Sequence, residues 1–392
     1  MRRSGPIRYA TADRFGAPRP VADDRSSTGA ICPQAPSRLE SVMGSPDPRL
    51  PQDDDCLNLS ITTPACDDHR RPVMVWLHGG AFLTGGGLQA WYDGGRLTTE
   101  QDVVVVSVNY RLGVFGFLRL DGVSEGNLGL LDQLEALRWV RRHIAAYGGD
   151  PENVTVFGQS AGGLSVALLL GMAQTRGLFH RAIVQSAPVG ARHTPDQAAA
   201  FGQAVARHLG ADPRGATPAG LLEATARAAA ARRSRSPLDV PFAPIAGVHP
   251  VAADIDRALV AGADGRDVLC GCTTDEATAF GIPLAAAAEL TEALFGEPSA
   301  RFRAQLAAAG SRVLSYRVDW RPAGSPFGAT HCVELPLLLG DERSWRAAPM
   351  LGDVPWSEVE ELGKATRRAW AAFARTGTPD DRDLGRWPLA IE

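Results

Sequence analysis

Runs of consecutive apolar residues, not alternation, mark the strands of this chain. Residues 73–77 (VMVWL), 103–108 (VVVVSV), 154–157 (VTVF) and 182–184 (AIV) are apolar at nearly every position. That is the pattern of strands covered on both faces, as in a parallel sheet between helices. The stretch 128–151 has a different period. Leu130, Leu134, Leu137, Val140 and Ile144 recur every three or four residues, and Gly148 with Pro151 closes the run. An amphipathic helix is therefore predicted between the second strand and the third, which makes a crossover unit.

Residues 196–235 turn alanine-rich, with AAAFGQAVARHLG and PAGLLEATARAAAARR reading as two amphipathic helices beside the sheet. Two more strands are predicted at 267–272 (DVLCGC) and 312–318 (RVLSYRV), separated by an alanine-rich helical stretch, and a last helix over 357–375. Residues 1–53 are rich in Pro, Ser, Arg and Asp with little periodicity, which predicts an irregular arm. With no internal repeat and no long polar linker, the expectation is one α/β domain over 1–392, its helical cap elements at about 195–240 and 280–310.

Composition narrows the partners. Charged residues make up 21% and the formal net charge is −4, so neither a basic nucleic-acid surface nor an acidic tail is present, and a small or neutral ligand is expected. The N-terminus carries two arginines with no apolar run behind them, and no segment is long enough to span a bilayer, so no membrane association is expected and the cytoplasm is the expected location. Six cysteines (Cys32, Cys56, Cys66, Cys270, Cys272, Cys332) show no paired spacing with histidines, and no metal or organic cofactor is expected.

With 42 glycines in the chain, the pattern G-x-S-x-G at 158–162 is a weak signal by itself. Its context strengthens it. In VTVFGQSAGGLSVALLL, Ser160 follows a β-branched strand and precedes a run readable only as a helix, the setting of a nucleophile elbow. Gly158 and Gly162 lack side chains where strand and helix must approach, and the helix N-terminus offers free N–H groups to a developing oxyanion.

A serine hydroxyl needs a base, and in this strand-turn-helix setting the order along the chain is serine, then acid, then histidine. His69, His78 and His143 precede Ser160, while His180, His193 and His208 follow it too closely for a strand-end acid to intervene. Of the remaining two, His249 and His331, only His331 lies beyond Asp275 and Glu276, the acids that directly follow the 267–272 run. The order thus yields Ser160, Asp275 or Glu276, and His331. Backbone N–H groups for an oxyanion are expected from Ala161 and from the small-residue loop Gly79, Gly80, Ala81 that follows the 73–77 strand.

Taken together, DDDCLNLSITTP, VMVWLHGGAFLTGG, VVVVSVNYRLGVFGFL, GNLGLLDQLEALRWV, IAAYGGDPENVTVFGQSAGG, TTDEATAF and ATHCVELPLLLG resemble, in order, motifs of the type-B carboxylesterases. That family of the α/β-hydrolase superfamily includes cholinesterases and bacterial para-nitrobenzyl esterases. The resemblance implies a mostly parallel sheet flanked by helices, Ser160 as nucleophile, Glu276 as acid, His331 as base, and the N–H groups of Gly80, Ala81 and Ala161 as oxyanion hole. It also implies a structural place for His78 and matches Cys32 and Cys56 to a family disulfide pair, for which two thiols are expected here as readily as a bond. Phe82, Trp91, Phe115 and Gln159 are candidates to line the substrate pocket.

The departures are informative. Relatives commonly carry Glu before the serine, where this chain has Gln159, so esters with a neutral alcohol are expected as substrates. Asp55 replaces a glutamate and is expected to pair with Arg111. The arm is short, and so is the interval between Glu276 and His331, which predicts a reduced cap and a wider entrance. The expectation is a serine carboxylesterase working through an acyl-enzyme on a small-molecule ester. A tailoring lactonase, thioesterase or acyltransferase is the alternative within the fold, and a non-catalytic esterase-like binding protein the alternative from another class.

Overall fold

The computed structural model describes residues 1–24, 27–232, 236, 238–263, 265–380 and 389–391. One ten-stranded sheet runs through them: β1 (Arg2–Thr11), β2 (Arg19–Asp24), β3 (Asn58–Thr63), β4 (Arg71–Leu77), β5 (Val104–Val108), β6 (Gly149–Gln159), β7 (Arg181–Gln185), β8 (Asp267–Thr273), β9 (Val313–Val318) and β10 (Leu389–Ile391). Their order across the sheet is β10-β9-β8-β7-β6-β4-β5-β3-β1-β2. From β5 to β9 all neighbours are parallel, and antiparallel strands close both edges.

The apolar runs are strands sandwiched between two cores, as their lack of alternation requires. Val73, Val75, Leu77, Val104, Val106 and Val108 face one core, which includes Leu130, Leu137 and Val140 of helix α1 (Leu128–His143) and Leu164 and Leu168 of α2 (Ala161–Leu170). Met74, Trp76, Val105, Phe157, Ile183 and Leu269 face the other, closed by Trp370 and Phe373 of a C-terminal helix, Trp356–Thr376. The predicted periodic residues of α1 and the Ile144 beyond it are all buried. Gly148, in the left-handed region at φ 77°, turns the chain into β6.

Three expectations are corrected. Residues 1–53 are not an irregular arm throughout, because β1 and β2 form an antiparallel pair on the sheet edge. Along β1, Ile7 and Tyr9 point into the core while Arg2, Arg3 and Arg8 do not, a period-2 pattern that the register shift between Ser4 and Ile7, around Gly5 and Pro6, interrupts. Asp55 does not pair with Arg111. It pairs with Arg8, while the Arg111 guanidinium grips buried Asp132 of α1 with two hydrogen bonds, 2.8 and 2.6 Å.

The cap is also smaller than expected. Its first expected segment holds two helices, α3 (Pro195–Leu209) and α4 (Pro218–Ala230), each opened by a threonine that accepts a backbone N–H; positions 233–235 and 237 of that segment lie outside the described residues. In the second segment, helix α5 (Glu297–Ala308) packs on β8 and β9 with Phe302 and Leu306 in the sheet's core. It is the crossover that two parallel neighbouring strands require, not a cap. No helix among the described residues is long and apolar enough to cross a membrane.

Candidate active site

Strand β6 ends at Gln159, and Ser160 turns the chain with φ 57° and ψ −122° before α2 begins at Ala161. A non-glycine residue in such a conformation costs about 1–3 kcal/mol and persists only where its surroundings hold it. Here Ser160 N–H donates to Gln185 O at 2.8 Å, and its own carbonyl accepts from Leu164 N–H at 2.9 Å. A Cβ on Gly158 would fall 2.6 Å from Gly162 C and 2.8 Å from Leu77 O, and one on Gly162 would fall 2.7 Å from His78 O. Only glycines let β4, β6 and α2 converge behind a partly exposed serine.

After β4 the chain passes through Gly80, Ala81 and Phe82 at φ 117°, 57° and 58°. The turn is tied by Leu83 and Thr84 N–H to Gly80 O, each at 3.0 Å. A Cβ on Gly79 would lie 3.1 Å from Ser160 Cβ, so this backbone runs directly beside the serine. Among the described residues the N–H groups of Gly80 and Ala81 have no hydrogen-bond acceptor. Beneath the loop, His78 is fully buried, stacked on Tyr110 with ring centres 4.4 Å apart, and its Nδ1 lies 2.8 Å from Gly79 O. Burial pushes its pKa down to about 4, so it is neutral and props the glycine loop.

His331 follows β9 in a loop whose Thr330 bridges to Asp275. Its Nδ1 donates to Glu276 Oε2, both side chains are fully buried, and Glu276 Oε1 is fixed by Thr273 N–H at 2.8 Å. Phe280 and Phe295 pack against the imidazole with ring centres 5.4 Å away. Asp275, the other acid allowed by chain order, turns away to Arg321 at 2.7 and 3.1 Å and to Ala329 N–H at 2.8 Å. The remaining imidazole nitrogen, Nε2, accepts from the Gln159 side-chain amide at 3.0 Å, and that amide nitrogen also reaches Cys332 Sγ at 3.3 Å. No hydrogen bond joins Ser160 to His331 among the described residues.

Two cavities meet at this point. One, of about 250 Å³, is lined by Ser160, Ala161, Gly80, Ala81, Phe82 and Leu164 among other, mostly apolar, residues. The second, of about 260 Å³ and more polar, holds Gln159, Cys332, Trp91, Tyr92, Glu40 and Asp47. Of the expected pocket residues, Phe82 lines the first and packs on Phe117 at 4.9 Å, while Trp91 and Gln159 line the second, Trp91 stacked on Trp345. Phe115 belongs to neither; it lies under the Arg14 guanidinium, away from the serine. All six cysteines are thiols, including Cys32 and Cys56, whose mutual hydrogen bond and burial push the Cys56 thiol's pKa up.

Residues that motif reasoning missed connect the elbow to the histidine loop. Gln185, whose carbonyl holds Ser160, accepts Trp370 Nε1–H at 3.2 Å and donates to Glu334 Oε1 at 3.4 Å. Glu334 is buried, its Oε2 has no partner among the described residues, and burial, then the nearby Glu276 carboxylate, pushes its pKa up to about 7.

The sequence model of the carboxylesterase family matches residues 6–289. The chain belongs to the carboxylesterase family. It is 41% identical to a probable N-octanoylanthranilate hydrolase of Rhodococcus erythropolis over 98% of this chain and 90% of that protein. To the para-nitrobenzyl esterase of Bacillus subtilis it is 36% identical, over 97% of this chain and 86% of the other. A solved para-nitrobenzyl esterase superposes with a TM-score of 0.85 at 32% identity, covering all of this chain and 93% of its own. This carboxylesterase therefore has the α/β-hydrolase fold and acts on small esters, with its strand-end loops gathered where β6 meets β4 and the crossovers change direction, the usual place for a ligand in such sheets.

Proposed function

We propose that Ser160 is the nucleophile, His331 the general base, Glu276 the carboxylate that orients it, and the N–H groups of Gly80, Ala81 and Ala161 the oxyanion hole. The observation that supports this reading is the buried Glu276–His331 pair, which favours the Nδ1–H tautomer and leaves the Nε2 lone pair to the side-chain amide of Gln159, the residue next to the strained serine. In the reaction, Gln159 yields Nε2 to the Ser160 hydroxyl. His331 takes the hydroxyl proton as Oγ attacks the ester carbonyl, the three N–H groups hold the oxyanion, and His331 returns the proton to the leaving alcohol. Water then repeats both steps on the acyl-enzyme.

The proton donor stands on the side of the leaving group. Because Gln159 and Cys332, the neighbours of His331, line the polar cavity, the alcohol is assigned there and the acyl group to the apolar cavity around Phe82 and Leu164. Gln159 brings no charge to the alcohol side, which favours neutral alcohols. The eight-carbon acyl group in the name of the Rhodococcus relative's substrate supports medium-chain acyl groups here as well. The test is hydrolysis of para-nitrophenyl esters by the parent and by Ser160→Ala, expected to lose on the order of 10⁴ to 10⁶ in turnover; a variant as active as the parent would refute the assignment.

A further inference from the structure

We propose that acyl chains too long for the apolar cavity continue through its far wall into a neighbouring cavity of about 370 Å³, so that this wall sets the acyl-length preference. The inference rests on the assignment of the apolar cavity to the acyl group. Pro188, Ala191, Leu238, Val240 and Ala243 line both cavities, so the partition between them is one side chain thick. Those five side chains carry no polar group and two are alanines, which leaves nothing to hydrogen-bond across the gap or repel a methylene chain.

The two wall segments are braced as one piece. His193 N–H donates to Pro244 O at 2.9 Å, Ala246 N–H donates to His193 O at 3.0 Å, and the His193 Nε2 lies 3.1 Å from Val240 O. With the backbone fixed in this way, the bore of the passage is decided by side-chain size. Beyond the wall, Ala293, Leu294 and Pro298 continue an apolar lining, while Arg192, His193 and Asp239 make the rest of that cavity polar. A chain crossing the wall thus gains affinity at first and then reaches a polar space where added length gains little.

The experiment measures kcat/KM on para-nitrophenyl esters from acetate to decanoate. For the parent enzyme we expect a rise of up to about fourfold per buried methylene, then a plateau that extends through decanoate. Ala191→Phe, at a partly exposed position, should lower kcat/KM on octanoate and decanoate at least tenfold more than on acetate and butyrate. Leu238→Trp, on the opposite wall segment, is the second variant, and thermal melting confirms that each folds. A parent profile that collapses beyond hexanoate would overturn the passage, as would folded variants whose loss is equal at all lengths or absent at the long ones. Failure of the parent on every ester, acetate included, would instead overturn the esterase assignment on which the passage rests.

Discussion

Gly162→Ala adds one methyl group to the chain and tests the elbow where its geometry is tightest. The new Cβ would fall 2.7 Å from the carbonyl oxygen of His78, 2.7 Å from the carbonyl carbon of Leu77 and closer still to the Leu77 oxygen, all backbone atoms. Carbon and oxygen need more than 3 Å, so α2 and the end of β4 must part by on the order of 1 Å. Overpacking of this kind costs about 3 kcal/mol. For 392 residues the entropy of unfolding is roughly 0.8 kcal/mol per kelvin, so the melting temperature should fall by only about 4 °C. Catalysis should suffer far more. A shift of about 1 Å between Ser160 and the Gly80–Ala81 N–H groups is worth roughly 10²-fold in turnover. The assay compares kcat on para-nitrophenyl butyrate and the melting temperature for the parent, Gly162→Ala and a control, Gly215→Ala, whose Cβ would meet nothing within 4 Å. A Gly162→Ala enzyme that keeps turnover within threefold of the control would refute the account of the elbow.

Arg111→Met leaves Asp132 buried without its guanidinium and should cost about 3–5 kcal/mol, or roughly 4–6 °C in melting temperature; the double variant Arg111→Met with Asp132→Leu should recover most of that loss in a thermal melt. Glu334 keeps its proton in the folded chain up to about pH 7, whereas the unfolded carboxyl releases it above about 4.5. Its contribution to stability is therefore whole below pH 4.5 and declines as pH rises to 7, the reverse of a salt-bridged carboxylate. Denaturant melts at pH 5 and pH 8 should show Glu334→Gln gaining up to about 3 kcal/mol on the parent over that range, and a constant difference would contradict the buried-acid reading. Gln159→Glu places a carboxylate beside the proposed alcohol site, and should raise the ratio of kcat/KM for a choline ester over its ethyl counterpart roughly tenfold, as about 1–2 kcal/mol of attraction implies; an unchanged ratio would place the alcohol elsewhere.

The parallel strands were legible because burial on both faces leaves few polar positions in them, and a run such as 103–108, with Ser107 its one polar residue, has no other comfortable environment. The edge strands were not. β1 alternates only over Ile7, Arg8 and Tyr9 before Ala10 is buried as well, and its arginines, together with Gly5 and Pro6, hide that short alternation. Chain order narrowed the acid to two adjacent residues, but side-chain direction separates them: at the end of β8 Asp275 turns outward to Arg321, and Glu276 turns in to His331. Arg111 pairs with Asp132 because that aspartate sits on the buried side of α1, where spacing marks only apolar residues as core. Gln185 and Glu334 carried a readable signal after all, a polar residue set within the apolar runs RAIVQS and HCVELPLLL, which fold only if that residue finds partners.

The central claim is that Ser160 becomes covalently acylated. It is tested most directly by incubating the chain with a fluorophosphonate probe, digesting it and measuring the peptide masses. The account predicts one stoichiometric adduct, on the peptide bearing Ser160, absent from Ser160→Ala and much slowed in His331→Ala. An unlabelled parent, or a label that persists on another residue in Ser160→Ala, would contradict it.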